Sequence, residues 1–430
     1  MSRPTVVLVC DGPVPHPFMN YRGDALLAYW IQSGEYAVRV LAPVAADLGT
    51  ERSDAVVFER IGSYRQVTGL RGIAGRLLQM LRAYRSLRRL LRDESIDVIR
   101  TVSTLPTVVA VLARGRRSRV PIMANLSDFY EDLYAGSRLP LSRPATALFR
   151  RIDRMCGRAD LVIVDTPQQR DKWVTHGVAR DRCVVIPHGL PRTGDRMIPA
   201  TRGDDGGPIR LAPSESLGVY VGDIGQMDGV DLLIEALAQV RAAGTALSLC
   251  IVGSGRPRYV DSLRRRAEEL RVGDAILWIP RLPNQSLPAL LDQADVCYAP
   301  FRLWATSSTS IPNKVLEYLT STRPIVAPRG SALEAAAGAA LDYFTPGDPA
   351  SLAAISRDVL SRHHLGSEAA EARRRIAVAL DWRSVVEHET AVMHLLLQGG
   401  PTRWRDYDYA ISNATLSHAS PLVSAVHVSG

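Results

Sequence analysis

At 430 residues the chain exceeds what a single hydrophobic core usually organises, so two domains of about 200 residues each are expected. The net charge of +8 favours anionic partners, while the lack of zinc-finger spacing or an aromatic-basic RNA signature argues against nucleic acid. No stretch approaches the roughly 18 uninterrupted apolar residues of a membrane span, and Met1 leads directly into a strand, so a soluble cytoplasmic protein is expected.

Thr5 to Cys10 reads as a strand ending at Asp11-Gly12-Pro13, Asp24 to Gln32 as a helix and Tyr36 to Ala42 as a second strand. The helix from about Leu70 to Arg92 carries Arg82, Arg85, Arg89 and Arg92 along one stripe and Leu77, Leu78, Leu81 and Tyr84 along another. A basic stripe of this kind can rest on an anionic membrane as a peripheral contact; a solvated helix face is the alternative. Further strands are expected at Val98 to Val102, Pro121 to Asn125, Leu161 to Val164 and Val184 to Pro187, with room for a helix between each. Alternation of this kind gives a parallel α/β sheet covered on both faces. Residues 1–189 form this first domain.

Residues 190–216 shift to Pro, Gly, Asp and Thr without apolar periodicity and read as a linker. A second α/β domain over 217–380 opens with a strand at Leu217 to Val221. Val230, Leu233, Ile234, Leu237 and Val240 then repeat at helical spacing before strands at Leu247 to Val252, Ala275 to Ile279, Val296 to Ala299 and Pro324 to Ala327. A helix over 381–398 is expected to return to the first domain, and 399–430 to form a loosely packed tail. The five cysteines, Cys10, Cys156, Cys183, Cys250 and Cys297, contain no C-x-x-C pair and read as reduced core residues.

Chemistry concentrates in the segment from Ile311 to Ala327. Pro312 suits a helix start, and Lys314 and Glu317, three residues apart, share one helical face. Only Lys172 and Lys314 among the 52 basic residues are lysines, so a lysine here runs against the chain's own bias. A cation in a first turn opposes the helix dipole unless an anion joins it, and phosphate is the natural candidate. Glu317 could then hold a pair of sugar hydroxyls. The alternative is an ordinary surface Lys-Glu pair. Two glycine turns, Gly222-Asp223-Ile224-Gly225 and Gly253-Ser254-Gly255, leave the carboxyl ends of strands, where open α/β sheets bind ligands, and glycine lets backbone approach a phosphate closely.

Taken together, the segments Gly229 to Ala236, Ile251 to Gly255, Ala294 to Val296 and Lys314 to Ala327 resemble the nucleotide-sugar domain of retaining GT-B glycosyltransferases of family 4. In the first half, Val162 to Thr166, Val185 to Gly189 and Asn125 to Asp132 resemble that family's strand-end and acceptor-side segments. The resemblance implies two Rossmann-like domains facing a cleft. It implies sugar transfer from a nucleotide-diphosphate donor to a small-molecule or lipid-linked saccharide acceptor, with no cofactor and no metal. Glu317 matches the second glutamate of the family's E-x7-E motif, the one that holds the donor ribose. The first falls on Thr309, so backbone N–H groups around Thr309 and Ser310 would have to replace a carboxylate. The family's usual Arg and Lys after the first strand fall on Asp223 and Asp228, leaving Lys314, Arg302 or Arg281 to meet the diphosphate. The motif form is closest to the branch that transfers N-acetylated amino sugars. The donor-side residues implied are Gly222, Gly225, Gly253, Gly255, Arg281, Arg302, Thr309, Ser310, Lys314 and Glu317.

In this family the donor phosphate itself is thought to take the acceptor proton, which makes stabilisation of the leaving diphosphate the protein's main task. Lys314 and Asp128 are the catalytic candidates. Asp128 and His16 are the acceptor-side candidates, with helix capping and a turn as their alternative roles. His188 reads as structural, and Asp406-Tyr407-Asp408 matches a metal-binding D-x-D pattern by chance. The rival functions are an NDP-sugar epimerase, a sugar phosphorylase, or a catalytically degenerate GT-B partner. A nicotinamide dehydrogenase is disfavoured because Asp11 to Gly23 lacks G-x-G-x-x-G.

Overall fold

The computed structural model describes residues 3–14, 22–44, 56–63, 69–116, 118–127, 129, 143–190, 201–202, 207–208, 215–282, 286–303, 308–362, 367–400 and 404–408. They fall into two compact units, one made of residues 1–189 with 382–430 and the other of residues 190–381.

The first unit holds a seven-stranded parallel sheet. In chain order its strands are β1 (Thr5–Cys10), β2 (Ala37–Val44), β3 (Val56–Ser63), β4 (Val98–Val102), β5 (Ile122–Asn125), β6 (Leu161–Val164) and β7 (Cys183–Val185), and their order in space is β3-β2-β1-β4-β5-β6-β7. The central strands β1, β4, β5 and β6 are buried almost throughout, as continuous apolar runs must be when helices cover both faces of a sheet. One face packs against α2 (Gly69–Asp93), α3 (Thr104–Arg114), α4 (Arg143–Cys156) and α5 (Pro167–Thr175). The other packs against α1 (Arg22–Ser33) and a helix from the far end of the chain, Trp382–Leu397.

In α2 the buried core residues are Met80, Ala83, Leu87 and Leu90, with Tyr84 and Leu91 partly buried against them. Leu77, Leu78 and Leu81 are instead exposed, one face away from the sheet. The tail departs from expectation. Trp404 is buried in the same core as α1, and the Asp408 carboxylate accepts the Val185 N–H at 3.0 Å and pairs with Arg170. Asp408 therefore satisfies an outer strand of the sheet. All five cysteines are buried.

The returning helix is held by a buried charge cluster. Arg22, 1% exposed, donates to Glu389 at 2.6 Å, to Asp165 at 2.9 Å and to the Ile186 and Pro187 carbonyls, both at 2.9 Å. Arg100, fully buried on β4, donates to the other Glu389 oxygen at 2.7 Å. Burial pushes the Glu389 carboxyl up, but the Arg100 and Arg22 guanidiniums outweigh it and hold the group below its ordinary range.

The second unit contains a six-stranded parallel sheet. A short antiparallel pair, β8 (Thr201–Arg202) and β9 (Gly207–Pro208), precedes β10 (Ser216–Val221), β11 (Leu247–Val252), β12 (Ile276–Ile279), β13 (Val296–Tyr298), β14 (Ile325–Pro328) and β15 (Asp342–Phe344). The order in space is β12-β11-β10-β13-β14-β15. One face packs against α6 (Val230–Ala242), α7 (Pro257–Glu269) and α11 (Pro349–Ser361), with the shorter α8 (Leu287–Leu291), α9 (Asn313–Tyr318) and α10 (Ala332–Ala337) between them in sequence. The helix α12 (Ser367–Ala379) closes this unit, and α13 (Trp382–Leu397) is the one that returns to the first.

Glu389→Ala leaves the buried Arg100 guanidinium without a carboxylate and Arg22 with Asp165 alone, so it is expected to lower the stability of the first unit by about 3–5 kcal/mol. Glu387→Ala, which breaks only the exposed pair with Arg383, is expected to cost under about 1 kcal/mol. Urea titrations of the two variants check the difference. The Glu389 contribution is fully present above the ordinary glutamate value of 4.5 and is withdrawn as pH falls through its lower folded-state value, so acidification should erase the gap between parent and variant.

Candidate functional site

Strand order in the second sheet reverses between β10 and β13, and a parallel sheet opens a crevice beyond the carboxyl ends of the strands at such a reversal. Gly222 and Asp223 leave β10 there, and Ala299 to Arg302 leave β13. Tyr318 at the end of α9 fastens that helix beneath the crevice. Its buried hydroxyl accepts the Val221 N–H at 2.7 Å and lies 3.2 Å from the Tyr298 carbonyl, so it touches both strands. Lys314 and Glu317, four residues and one residue before Tyr318, are placed by this anchor.

Lys314 does not pair with Glu317. Its ammonium donates to Asp228 at 2.9 Å and to the Tyr220 hydroxyl at 3.0 Å. Two of its three N–H groups are therefore engaged, and the third has no partner among the described residues. Burial, then Asp228 and Asp223, push the Tyr220 phenol far up, so it stays protonated and donates to the Asp223 carbonyl at 2.5 Å. The two aspartates standing where basic residues were expected thus each hold a cation from another segment: Asp228 holds Lys314 of α9, and Asp223 pairs with Arg281. A third pair follows the same pattern, with Arg302 donating to both Asp231 oxygens at 2.8 and 2.7 Å. Arg302 also donates to the Gln226 carbonyl, so it clamps the loop between β10 and α6. The helix α9 has only six residues, so the positive feature here is the lysine side chain and not a helix end.

Glu317 differs from its neighbours. Its carboxyl is partly exposed and has no hydrogen-bond partner among the described residues. Desolvation raises it to about 7, with Lys314 opposing the rise. Thr309 and Ser310 lie in a turn tied down by the Ser308 carbonyl, which accepts the Ala332 N–H at 2.9 Å. His188 sits edge-on to Trp382 with ring centroids 4.7 Å apart in the first unit. Asp128 and His16 lie outside the described residues.

The expected glycines lie close to neighbouring protein atoms. A Cβ at Gly253 would stand 1.8 Å from the Gly222 carbonyl oxygen, and one at Gly255 would stand 2.2 Å from that of Ile224. The two strand-end turns press backbone against backbone, joined by the Ile224–Gly255 bridge. A Cβ at Gly222 would meet the end of Lys314 at 3.0 Å, and one at Gly225 the Asp228 carboxylate at 2.9 Å. These glycines make room for the charged pair.

The first sheet has its own reversal, between β1 and β4. Asp11 and Ser103 end those two strands, and the Ser103 hydroxyl donates to Asp11 at 2.7 Å. Burial pushes the Asp11 carboxyl up, against the Ser103 hydrogen bond and the charge of Arg76. Ser103 has φ 83°, a left-handed conformation that is costly for a residue with a Cβ. This pair is an acceptor-side candidate that sequence reasoning missed. The available signal was Asp11 directly after a strand, but its partner lies 92 residues away.

Comparison with known proteins agrees with this architecture. The sequence model of Glycosyltransferase Family 4 matches residues 25–192, and that of Glycosyl transferases group 1 matches residues 215–362. A D-inositol 3-phosphate glycosyltransferase of Nocardia farcinica is 29% identical over 181 residues, 40% of this chain and 38% of that protein. A GDP-mannose-dependent alpha-(1-6)-phosphatidylinositol monomannoside mannosyltransferase of Mycolicibacterium smegmatis is 30% identical over 171 residues, 39% of this chain and 41% of that protein. The match thus spans about two fifths of each relative's own length. Among solved structures, sucrose-phosphate synthase from Thermosynechococcus elongatus has a TM-score of 0.69 at 15% identity, over 93% of this chain and all of that one. Anabaena Alr3699/HepE in complex with UDP and glucose has a TM-score of 0.63 at 15% identity, over 90% and 99%. With its two parallel-sheet units and both family models in order along it, the chain belongs to family 4 of the GT-B glycosyltransferases.

Proposed function

We propose that the chain transfers a sugar from a nucleotide-diphosphate donor to an acceptor, with the donor held at the carboxyl edge of the second sheet. The observation that carries this reading is the placement, one helical turn apart, of a fixed ammonium whose third N–H, and a carboxyl whose oxygens, have no hydrogen-bond partner among the described residues. Lys314 suits the leaving phosphate, and Glu317 suits two vicinal hydroxyls of the ribose. In the reaction an acceptor hydroxyl oxygen bonds to the anomeric carbon as the bond from that carbon to the phosphate oxygen breaks. The hydroxyl proton passes to the departing phosphate on the same face, which retains the anomeric configuration. Negative charge grows on the phosphate during this step, and an ammonium already oriented by Asp228 and Tyr220 needs no reorganisation to meet it.

The donor panel follows from the relatives' names, one of which is GDP-mannose-dependent, and from a neighbour solved with UDP-glucose. UDP-glucose, UDP-N-acetylglucosamine and GDP-mannose are the sugars to screen by thermal stabilisation, since a ligand of the native state raises the melting temperature. Inositol phosphates and their lipid-linked forms are the first acceptors to test. Release of an altered sugar nucleotide or a sugar phosphate without acceptor would favour an epimerase or phosphorylase. The pairing of all three cations with aspartates favours one further reading, a partner that kept the fold and lost donor chemistry. Failure of every nucleotide sugar to bind would support it.

Lys314→Ala is expected to weaken nucleotide-diphosphate binding in calorimetry and to lower kcat/KM by about a hundredfold or more; unchanged affinity sinks the donor assignment. Asp228→Asn keeps an oxygen for the Lys314 ammonium while removing a negative charge, so it should tighten nucleotide-diphosphate binding by about threefold to tenfold, with a shallower benefit at high salt. Ribose recognition needs the Glu317 carboxylate, so donor affinity should rise as pH rises through about 7, and Glu317→Gln should abolish that dependence and lower affinity at alkaline pH. Titration calorimetry across this pH range checks both.

A further inference from the structure

Eight large apolar side chains are exposed among the described residues, and five of them, Leu77, Leu78, Leu81, Leu112 and Leu148, belong to α2, α3 and α4. These helices are neighbours in one layer: α3 packs against both α2 and α4, and all three bury their other faces in the same core. The five leucines are 43–64% exposed. Such exposure is not forced by sequence, because α2 already covers the sheet with Met80, Ala83, Leu87 and Leu90.

The same outer surface is cationic. Arg82, Arg85 and Arg92 on α2 and Arg151 and Arg154 on α4 are exposed and form no ion pair among the described residues. The acidic residues of the three helices are Asp93, at the last position of α2, and Asp153, which is fully buried. Leu77, Leu78 and Leu81 occupy one turn directly beside Arg82 and Arg85. Apolar side chains flanked by uncompensated arginines match an interface where hydrocarbon lies under a layer of negative headgroups. A second copy of the chain fits poorly, because a two-fold contact through this face would set arginines against arginines.

We propose that the outer face of α2, extended by α3 and α4, is a membrane-docking surface for anionic phospholipid, with Leu77, Leu78 and Leu81 entering the headgroup boundary. The proposal is independent of the donor site and of the reaction assigned to it. The leucines supply the apolar burial, and the arginines supply the preference for anionic over zwitterionic lipid.

Sedimentation of the full chain with vesicles of phosphatidylcholine alone and of phosphatidylcholine mixed with phosphatidylglycerol tests it. Binding to the mixed vesicles, absent on phosphatidylcholine and weakened by salt, is expected. The combined Leu77→Ser, Leu78→Ser and Leu81→Ser variant should lower the partition coefficient by at least about tenfold. Arg82→Glu with Arg85→Glu, a separate variant, should also lower it by about tenfold or more. All five positions are solvent-exposed, so both variants should melt with the parent chain. Failure of the parent to bind the mixed vesicles overturns the proposal, as does equal binding by the leucine variant. A parent that elutes as a dimer, and a leucine variant that elutes as a monomer, would also overturn it in favour of self-association.

Discussion

Two guanidiniums lie in the interior of the first unit, and Glu389 offers one oxygen to each. An unpaired charge in that position would cost several kcal/mol, and a single pair would still leave one cation without a partner. With Asp165 as the second carboxylate the cluster balances at two positive and two negative charges. Arg22 comes from α1, Arg100 from β4, Asp165 from the end of β6 and Glu389 from α13, so one cluster fixes four separate parts of the chain. The helix that leaves the second unit thereby completes the first, and the sheet edge that carries Asp11 and Ser103 belongs to the body thus completed.

The carboxyl edge of the second sheet follows a related logic with the signs rearranged. Acidic residues occupy the loop after β10, and the cations reach them from the segments after β12 and β13 and from α9. The positive charge of this edge is thus delivered from the opposite direction. Tyr220 and Tyr318 make this workable. The first shares the lysine with Asp228, and the second pins α9 to two strands, so that the ammonium is oriented by the core and not by its own flexible stem.

Much of this was legible in the sequence because it is local. Central strands announce themselves as continuous apolar runs, and the helices between them by spacing, so both sheets could be laid out strand by strand. The missed strands are instructive. Val56–Ser63 carries Glu59 and Arg60 and sits at the sheet edge, where one side is not pressed into the core, and Asp342–Phe344 has three residues and one buried side chain. The placement of Lys314 and Glu317 on one helical face was also local, whereas the partners of Lys314 were not. Asp228 and Tyr220 lie 86 and 94 residues before it, and no spacing rule connects them. The protein atoms packed against the glycines were not legible, since periodicity does not reveal which atoms occupy the space a missing side chain leaves. In α2 the leucine stripe was visible, but only packing decides which of two apolar stripes meets the sheet.

The contact between Gly222 and Lys314 explains an oddity of composition. In a chain that otherwise uses arginine almost without exception, the cation under this turn is a lysine, with its last carbon and its nitrogen both 3.0 Å from where a Gly222 Cβ would stand. That slot admits a narrow methylene stem ending in a single compact charge. A planar guanidinium is broader and fixed in its fork, and it would collide with the turn or rotate away from Asp228 and Tyr220. Size, rather than charge, is therefore what keeps this position out of step with the rest of the chain.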